Sequence, residues 1–428
     1  MARTRTLLAT MAAGLAVTLV GTGLTVADAA PAAQERSKNP AATPFALKSW
    51  GYGTRVQGGQ APAQSGVPAY EVIGCTNLAG IDKNNQVADV ALPGLGTLSG
   101  IKTRVWTTRS NGVVSSWAEN TIGKVVLSDS PLGTLTLSAV STTAHAFHDG
   151  TGFKTEANTD LAKLQFQPPV GPAMDLPLPT PSQPVEIPQF GKVFFAHKKA
   201  NASANGAQVF ANGILVRLYQ SGSVVRVAHA VAQIGRGATI GVFSGDAYAI
   251  GGNAAGDIVR LGRNPLTKMP CQGTNGVERK RELAGLDLGG QVVIGAASSS
   301  SVGDQDKRRA WGRERSRVAS INLGGALQVT GIVGQVNVAR YGPNRTKLKA
   351  NTRGTTLGRL VVNGQSQTLP AQGLEIPGVA KLEPSITTRI PGGIKVTALR
   401  ITVLDGSGAV IELGNARLVV KRLKKIVS

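Results

Sequence analysis

The chain has 428 residues, of which 4% are aromatic and 54 are glycine, and its formal net charge at pH 7 is +22. That length admits two domains of ordinary size, each able to bury a core without metals or several disulfides. Beyond the first 30 residues no apolar stretch approaches the roughly 20 residues a helical bilayer span needs, which excludes a membrane-spanning helix.

The segment 1–29 reads as a secretory signal. Arg3 and Arg5 form a basic start, Leu7 to Val20 is apolar, and Ala27-Asp28-Ala29 is a small-residue cleavage site. The mature chain is then secreted, begins at Ala30 and carries +21 once Arg3, Arg5 and Asp28 are removed. Residues 30–44 are rich in Ala, Pro, Ser and Lys without apolar periodicity and are expected to be a disordered spacer.

Most of the remaining chain occurs twice. Cys75-Thr-Asn-Leu-Ala-Gly is answered by Cys271-Gln-Gly-Thr-Asn-Gly, and Val87-Ala-Asp-Val-Ala-Leu by Leu283-Ala-Gly-Leu-Asp-Leu. Tyr52 and Tyr248 each precede their cysteine by 23 residues, and Trp117 and Trp311 come after. The offset is 196 at the tyrosine, the cysteine and the Ala88/Ala284 pair. An internal duplication therefore places repeat one at 45–236, repeat two at 237–420 and a basic tail at 421–428.

Within each repeat, short segments alternate apolar and polar residues and are rich in β-branched side chains. Leu135-Thr-Leu-Ser-Ala-Val and Leu327-Gln-Val-Thr-Gly-Ile are period-two strands. Glycines between Leu215 and Val224, and between Ile401 and Val410, supply the positive φ of closing hairpins. No window shows a helical stripe. The expected fold is all-β, two tandem homologous β-sandwich-like domains. The proline-rich stretch 167–188 resembles a linker, but Val185-Glu-Ile-Pro matches Leu374-Glu-Ile-Pro inside repeat two. It is expected to be a polyproline-II loop joining two layers of one domain.

Candidate chemistry is sparse. Two cysteines in an exported chain most often pair, so Cys75–Cys271 is expected as a disulfide between the repeats; two separate thiols are the alternative. His145 and His148 stand three apart on a strand and point to opposite faces, which does not suit a shared metal ion. Ser99 and Lys102 have serine–lysine spacing but fall in a strand rather than at a helix start. Glu156 and Asp160 are available carboxylates, though their spacing alone does not make a facing acid pair. No phosphate loop or dinucleotide motif occurs. No enzyme, cofactor or metal site is expected.

The charge is uneven. From Phe243 to Ser428 there are 27 Lys/Arg against 12 Asp/Glu, a net of +15, leaving +7 for everything before. Lys307, Arg308, Arg309, Arg313, Arg315 and Arg317 bracket Trp311, while the matching stretch of repeat one, Arg109 to Asn120, holds one arginine. These residues suit a polyanion, held by counterion release and stacking on the indole. A solvated loop tuned for solubility is the other reading. The triplet Arg279-Lys-Arg281 is a second cluster. Nucleic acid is not the expected partner, since aromatics are not interleaved with the charges.

Tyr52-Gly-x-x-Val56, the strand Val87 to Leu92, Pro270-Cys-x-Gly-Thr-x-Gly276 and the closing Ala398-Leu-Arg-Ile-Thr-Val-Leu resemble the actinobacterial choice-of-anchor P family of exported proteins. The resemblance implies an envelope-associated β protein without assigned activity or catalytic residues to transfer. No sorting motif or hydrophobic span occurs after Val420. The expected function is that of a secreted, non-catalytic, structural or adhesive protein of the cell envelope. Its basic second repeat would hold an anionic wall polymer or acidic polysaccharide. A carbohydrate-binding or carbohydrate-active protein is the alternative, told apart by acidic and aromatic side chains converging in one cleft.

Overall fold

A computed structural model describes residues 40–58, 63–64, 67–92, 96–129, 132–220, 222–236, 240–254, 259–288, 292–342, 345–404, 406 and 408–423. The signal segment and spacer residues 30–39 lie outside the described residues, as do tail residues 424–428.

Repeat one opens with β1 (Ala41–Gly58), β2 (Ala63–Gln64) and β3 (Glu71–Ala79). A second group comprises β4 (Asp82–Leu92), β5 (Gly96–Ser110), β6 (Val113–Asp129), β7 (Gly133–His148), β8 (Phe153–Gln167) and β9 (Met174–Asp175). The repeat closes with β10 (Val185–Ile187), β11 (Gly191–Ser203), β12 (Gly206–Leu218) and β13 (Ser223–Gly235). Repeat two opens with β14 (Gly241–Ala254) and β15 (Val259–Met269). Its middle comprises β16 (Arg279–Leu283), β17 (Leu286–Leu288), β18 (Val292–Ile294), β19 (Ala297–Gln305), β20 (Arg309–Leu323) and β21 (Leu327–Tyr341). The short β22 (Lys347–Asn351), β23 (Leu360–Val362) and β24 (Gln365–Gln367) come next. It ends with β25 (Leu374–Ile376), β26 (Ala380–Ile390), β27 (Gly393–Val403) and β28 (Val410–Arg422).

The fold is all-β and the sheets are antiparallel, with no α-helix among the described residues. Three sheets form. A large one of thirteen strands runs through both repeats in the order β10-β11-β12-β13-β1-β2-β15-β14-β28-β27-β26-β25, with β3 on β1. A six-stranded sheet, β4 to β9 in sequence order, covers the repeat-one half of it, and a nine-stranded sheet built on β16-β19-β20-β21 covers the other half. Each repeat is thus a two-layer sandwich sharing one continuous outer sheet with its twin. The pairings correspond: Tyr52 faces His229 where Tyr248 faces Asn415.

Inward positions carry the aliphatic residues that the alternation demands. In repeat one Leu98, Ile122, Leu137 and Leu164 of the small sheet meet Ile214, Val216, Val225 and Val227 of the large one. In repeat two Val318, Ile321, Val329 and Ile332 meet Ala398, Leu399, Ile401 and Leu413. Burying each such branched side chain contributes roughly 1.5–3 kcal/mol. Few aromatics are needed because the layers lie close: a β-carbon on Gly334 would sit 1.8 Å from the Gly414 carbonyl oxygen.

The alternation is not uniform along the strands. Each small sheet is crossed by a line of small residues where the ladder breaks. In repeat one the line is Ala88, Gly100, Gly123, Ala139 and Ala162; in repeat two it is Ala284, Ala296, Ala319, Gly331 and Gly358. Gly100 and Ala139 have φ near +62° and +50°, and Gly331 near +62°. At this line the inward-facing residues switch from steps of two to a step of three, Leu135, Leu137, then Val140.

Several boundaries differ from the sequence reading. Ala41 to Pro44 are the start of β1 and not spacer, because Ala41 pairs with Ala79 and the Thr43 hydroxyl donates to the Asn77 carbonyl at 3.1 Å. Lys421 and Arg422 belong to β28, paired with Val242 and Gly241, rather than to a tail. The proline-rich stretch leaves β8 and β9 of the six-stranded sheet and delivers the chain to β10 of the large one, crossing between layers. Cys75 and Cys271 are joined in a disulfide with a Cα–Cα distance of 5.4 Å, buried with Ala46 and Val242 between the repeats.

Candidate functional site

The basic run of repeat two is strand and hairpin, not a loop around Trp311. Lys307 and Arg308 occupy the β19–β20 turn, where the Asp306 carboxylate accepts from the amides of Arg308 and Arg309 at 2.6 and 2.8 Å. Those two backbone bonds, that from Arg309 first, hold the Asp306 carboxyl below its usual range. From there β20 alternates. Glu314 turns inward and is fully buried, while Arg309, Trp311, Arg313, Arg315 and Arg317 share the solvent face of the nine-stranded sheet. The sequence grouped all seven residues by proximity. A pleated strand keeps together only every second one.

Side chains two apart on a strand stand about 6.8 Å from one another. Arg313, Arg315 and Arg317 therefore make a row along β20. Cross-strand pairing adds Val302 and Asn337 beside Arg313, Ser300 and Gln335 beside Arg315, and Ser298 and Val333 beside Arg317. The edge strand β16 places Lys280 opposite Ser300, and Glu278 lies just before it. Together they enclose a pocket of about 160 Å3 lined by Glu278, Lys280, Ser300 and the three arginines. A water needs only about 10–15 Å3, so an oxyanion with its hydration fits.

Four cations against one carboxylate leave this pocket electropositive. Arg313 donates to Glu278 at 3.1 Å, but the side chains are 35% and 47% exposed, so the pair contributes little stability. The Ser300 hydroxyl, with Arg313 behind it, holds the Glu278 carboxyl below the ordinary carboxylate range. Lys280 is engaged by Glu282 at the rim. Among the described residues no carboxylate lies within ion-pair distance of Arg315 or Arg317, and the Nε atoms of Arg313 and Arg315 are buried without an acceptor. Burial, then Arg317 and Arg313, lowers the Arg315 pKa from its ordinary value. A buried donor left unsatisfied costs about 1–3 kcal/mol.

The matching face of repeat one shows that the scaffold does not need these charges. Counting from the break lines, Trp106 stands where Val302 does, Trp117 where Arg313 does, Glu119 where Arg315 does and Thr121 where Arg317 does. Trp117 and Trp311 are thus not at equivalent positions. They share a face but differ by two residues in register, because Trp117 precedes its break by six residues and Trp311 by eight.

On the repeat-one face Trp106 and Trp117 stack at 5.4 Å, Trp117 and His145 at 3.4 Å, and His145 and Phe147 at 4.3 Å. Arg104 caps Trp106 and is itself held by Asp82. His145 Nδ1 lies 3.0 Å from Glu156, and burial of the ring lowers its pKa despite that carboxylate. Aromatic and acidic side chains do gather here, but the ring faces are spent on one another, so the ladder braces the sheet. His148 turns away to stack on Phe45. Its counterpart Arg340 is buried, donating to the carbonyls of Val420 and Arg345. Ser99 and Lys102 lie in β5, and Glu156 and Asp160 stand exposed on β8.

The sequence did not single out Glu278, Ser298, Ser300 or Lys280 individually. Lys280 lay in the second basic triplet, and strand alternation separates it from Arg279 and Arg281. Compared with known proteins, the chain matches no family model, no curated protein and no solved structure.

Proposed function

We propose that this is an exported, non-catalytic protein of the cell envelope that holds an anionic polymer on the arginine face of its second repeat. The observation that carries the reading is the row Arg313, Arg315, Arg317. Its guanidinium groups are half-buried or exposed, largely unpaired, and stand where the twin repeat has Trp, Glu and Thr. An anionic ligand would neutralise the like charges that stand side by side along the row, which supports the reading. The signal-like first 29 residues and the inter-repeat disulfide support export. The resemblance to the choice-of-anchor P family supports the envelope setting.

Co-sedimentation with insoluble anionic wall polymer, or titration with polyglutamate of defined length, tests it across a salt series. Binding is expected to fall steeply with salt. Replacing Arg313, Arg315 and Arg317 by Ser should reduce the log–log salt slope by about 2, at roughly 0.7 per lost contact on a flexible polyanion. Equal, salt-independent binding by both proteins would return the row to the role of a solubilising surface.

A further inference from the structure

Beside the arginine pocket lies a second, shallower surface depression of about 630 Å3. Ser298 and Arg317 line both, and Ala296, Ala319, Gly331, Val333 and Leu283 are among the residues that line the second. The break line makes this groove: where the ladder is interrupted, Ala296 and Ala319 face outward as small residues between larger neighbours. Its volume falls in the roughly 300–1,000 Å3 range of small-molecule sites. Apart from Glu282 at the rim, and the shared Ser298 and Arg317, its lining is aliphatic. Cationic donors thus stand at one end of an apolar trough, and Arg317 belongs to both.

We propose that pocket and groove are one site for a single-chain lipid with a phosphate head, the head on Arg313, Arg315 and Arg317 and the acyl chain along Ala296, Ala319 and Gly331. The inference rests on the reading of the arginine row as an anion site and adds to the polymer a second ligand class for that row. Charge complementarity selects the head. Three guanidinium groups on one side of a pocket match the several oxygens and the charge of a phosphate monoester, and among the described residues Arg315 and Arg317 have no carboxylate of their own. Shape and composition select the tail. A groove lined by methyl groups and glycine backbone, beside the head pocket, gains by covering apolar surface and offers a polymer of charged sugars nothing to pair with.

The test is calorimetric titration of the full-length mature protein with butyl, octyl and dodecyl phosphate below their micelle concentrations, beside dodecyl maltoside. Each fully buried methylene is worth about a fourfold gain in affinity. In an open groove the dodecyl ester should bind at least about a hundredfold tighter than the butyl ester. Dodecyl maltoside should bind at least about tenfold more weakly than dodecyl phosphate, the scale of one lost charge-assisted contact. Ala319→Phe, which fills the exposed groove, should erase the chain-length dependence, so that the dodecyl ester binds no more tightly than the butyl ester; Ala296→Phe does the same from the neighbouring strand. Equal binding of all three esters would overturn the lipid site and leave the polymer reading standing. Equal binding of the maltoside and the phosphate would overturn the shared site, since the arginines would then contribute nothing. Chain-length dependence that survives both phenylalanine variants would also overturn it. If no ester binds, the lipid site falls, and polyglutamate titration of the same sample decides separately whether the arginine row binds anions at all.

Discussion

Trp117 and Arg313 hold the same place in the two repeats. Each stands six residues before the small residue at which its strand breaks, each faces solvent, and each is paired on both sides: Trp117 with Trp106 and His145, Arg313 with Val302 and Asn337. One face has become a stack of rings that satisfies itself. The other has become a row of donors that does not. The duplication thus supplies its own comparison, because the same strand layout is built with and without the arginines.

Exchanging one residue for its twin tests that comparison. Arg315→Glu installs at that position the residue repeat one carries as Glu119, where it would stand between two guanidinium groups rather than between Trp117 and Thr121. Stability should hold or rise by about 0.2–1 kcal/mol, since a like-charge row becomes alternating. Anion binding should be lost. Thermal melting and polyanion titration of the same sample read both effects. A clear fall in Tm would mean that the row serves the fold.

The all-β architecture, the duplication and the partner of each cysteine were legible because they depend on composition, on a fixed offset and on chemistry that needs only two residues. The register was not. Leu135, Leu137 and Val140 read as plain alternation, yet the step of three at Ala139 marks the break that sets which residue of repeat two answers which of repeat one. Aligning tryptophan to tryptophan slips β6 by two residues, and hides that Trp117 answers an arginine. The same limit applies to the site. Lys280 and Arg315 are 35 residues apart in sequence and meet only through pairing of β16 with β19 and β19 with β20.

The disulfide closes a loop of 196 residues between the repeats. On the chain-entropy account such a crosslink contributes about 5 kcal/mol, with strain and residual structure reducing it. Cys75→Ser with Cys271→Ser should lower the denaturant midpoint without changing strand content. Where the parent unfolds in one transition, the variant should separate into two as the repeats lose their tie. Coincident denaturation curves for parent and variant would show that the continuous sheet alone holds the halves together.

Close approach of the layers in repeat two rests on Gly334 and Gly414, the latter at φ +68°. A methyl at Gly334 would meet backbone at 1.8 Å, with no flexible side chain to yield. Gly334→Ala should cost at least about 3 kcal/mol, the upper end of overpacking. Gly152→Ala, where nothing lies within 4 Å, should be close to neutral. Urea unfolding of the pair checks the contrast. Similar midpoints would mean that the sheets can part at Gly334 at little cost.

Glu314 makes repeat two sensitive to pH. Its side chain is fully buried beneath the arginine row, where repeat one has Ala118. One carboxyl oxygen accepts from the Ser301 hydroxyl at 2.6 Å and the other has no partner among the described residues. Burial raises its pKa well above the ordinary 4.5; the bond from Ser301 opposes this, and Asp246 adds to it by repulsion. The native state therefore holds a proton that the unfolded chain releases above pH 4.5, and stability falls as pH rises. The contribution is fully present below the unfolded pKa. It is lost at up to about 1.4 kcal/mol per pH unit until the folded pKa is passed. Glu314→Gln keeps the shape and the Ser301 contact but cannot ionise. Its stability should match the parent near pH 4 and exceed it increasingly toward neutral and alkaline pH. Denaturant midpoints of both proteins at half-unit steps from pH 4 to pH 9 measure the difference directly, and other titrating groups cancel because they are common to both. A difference that stays constant across the series would show that Glu314 does not change its protonation on unfolding.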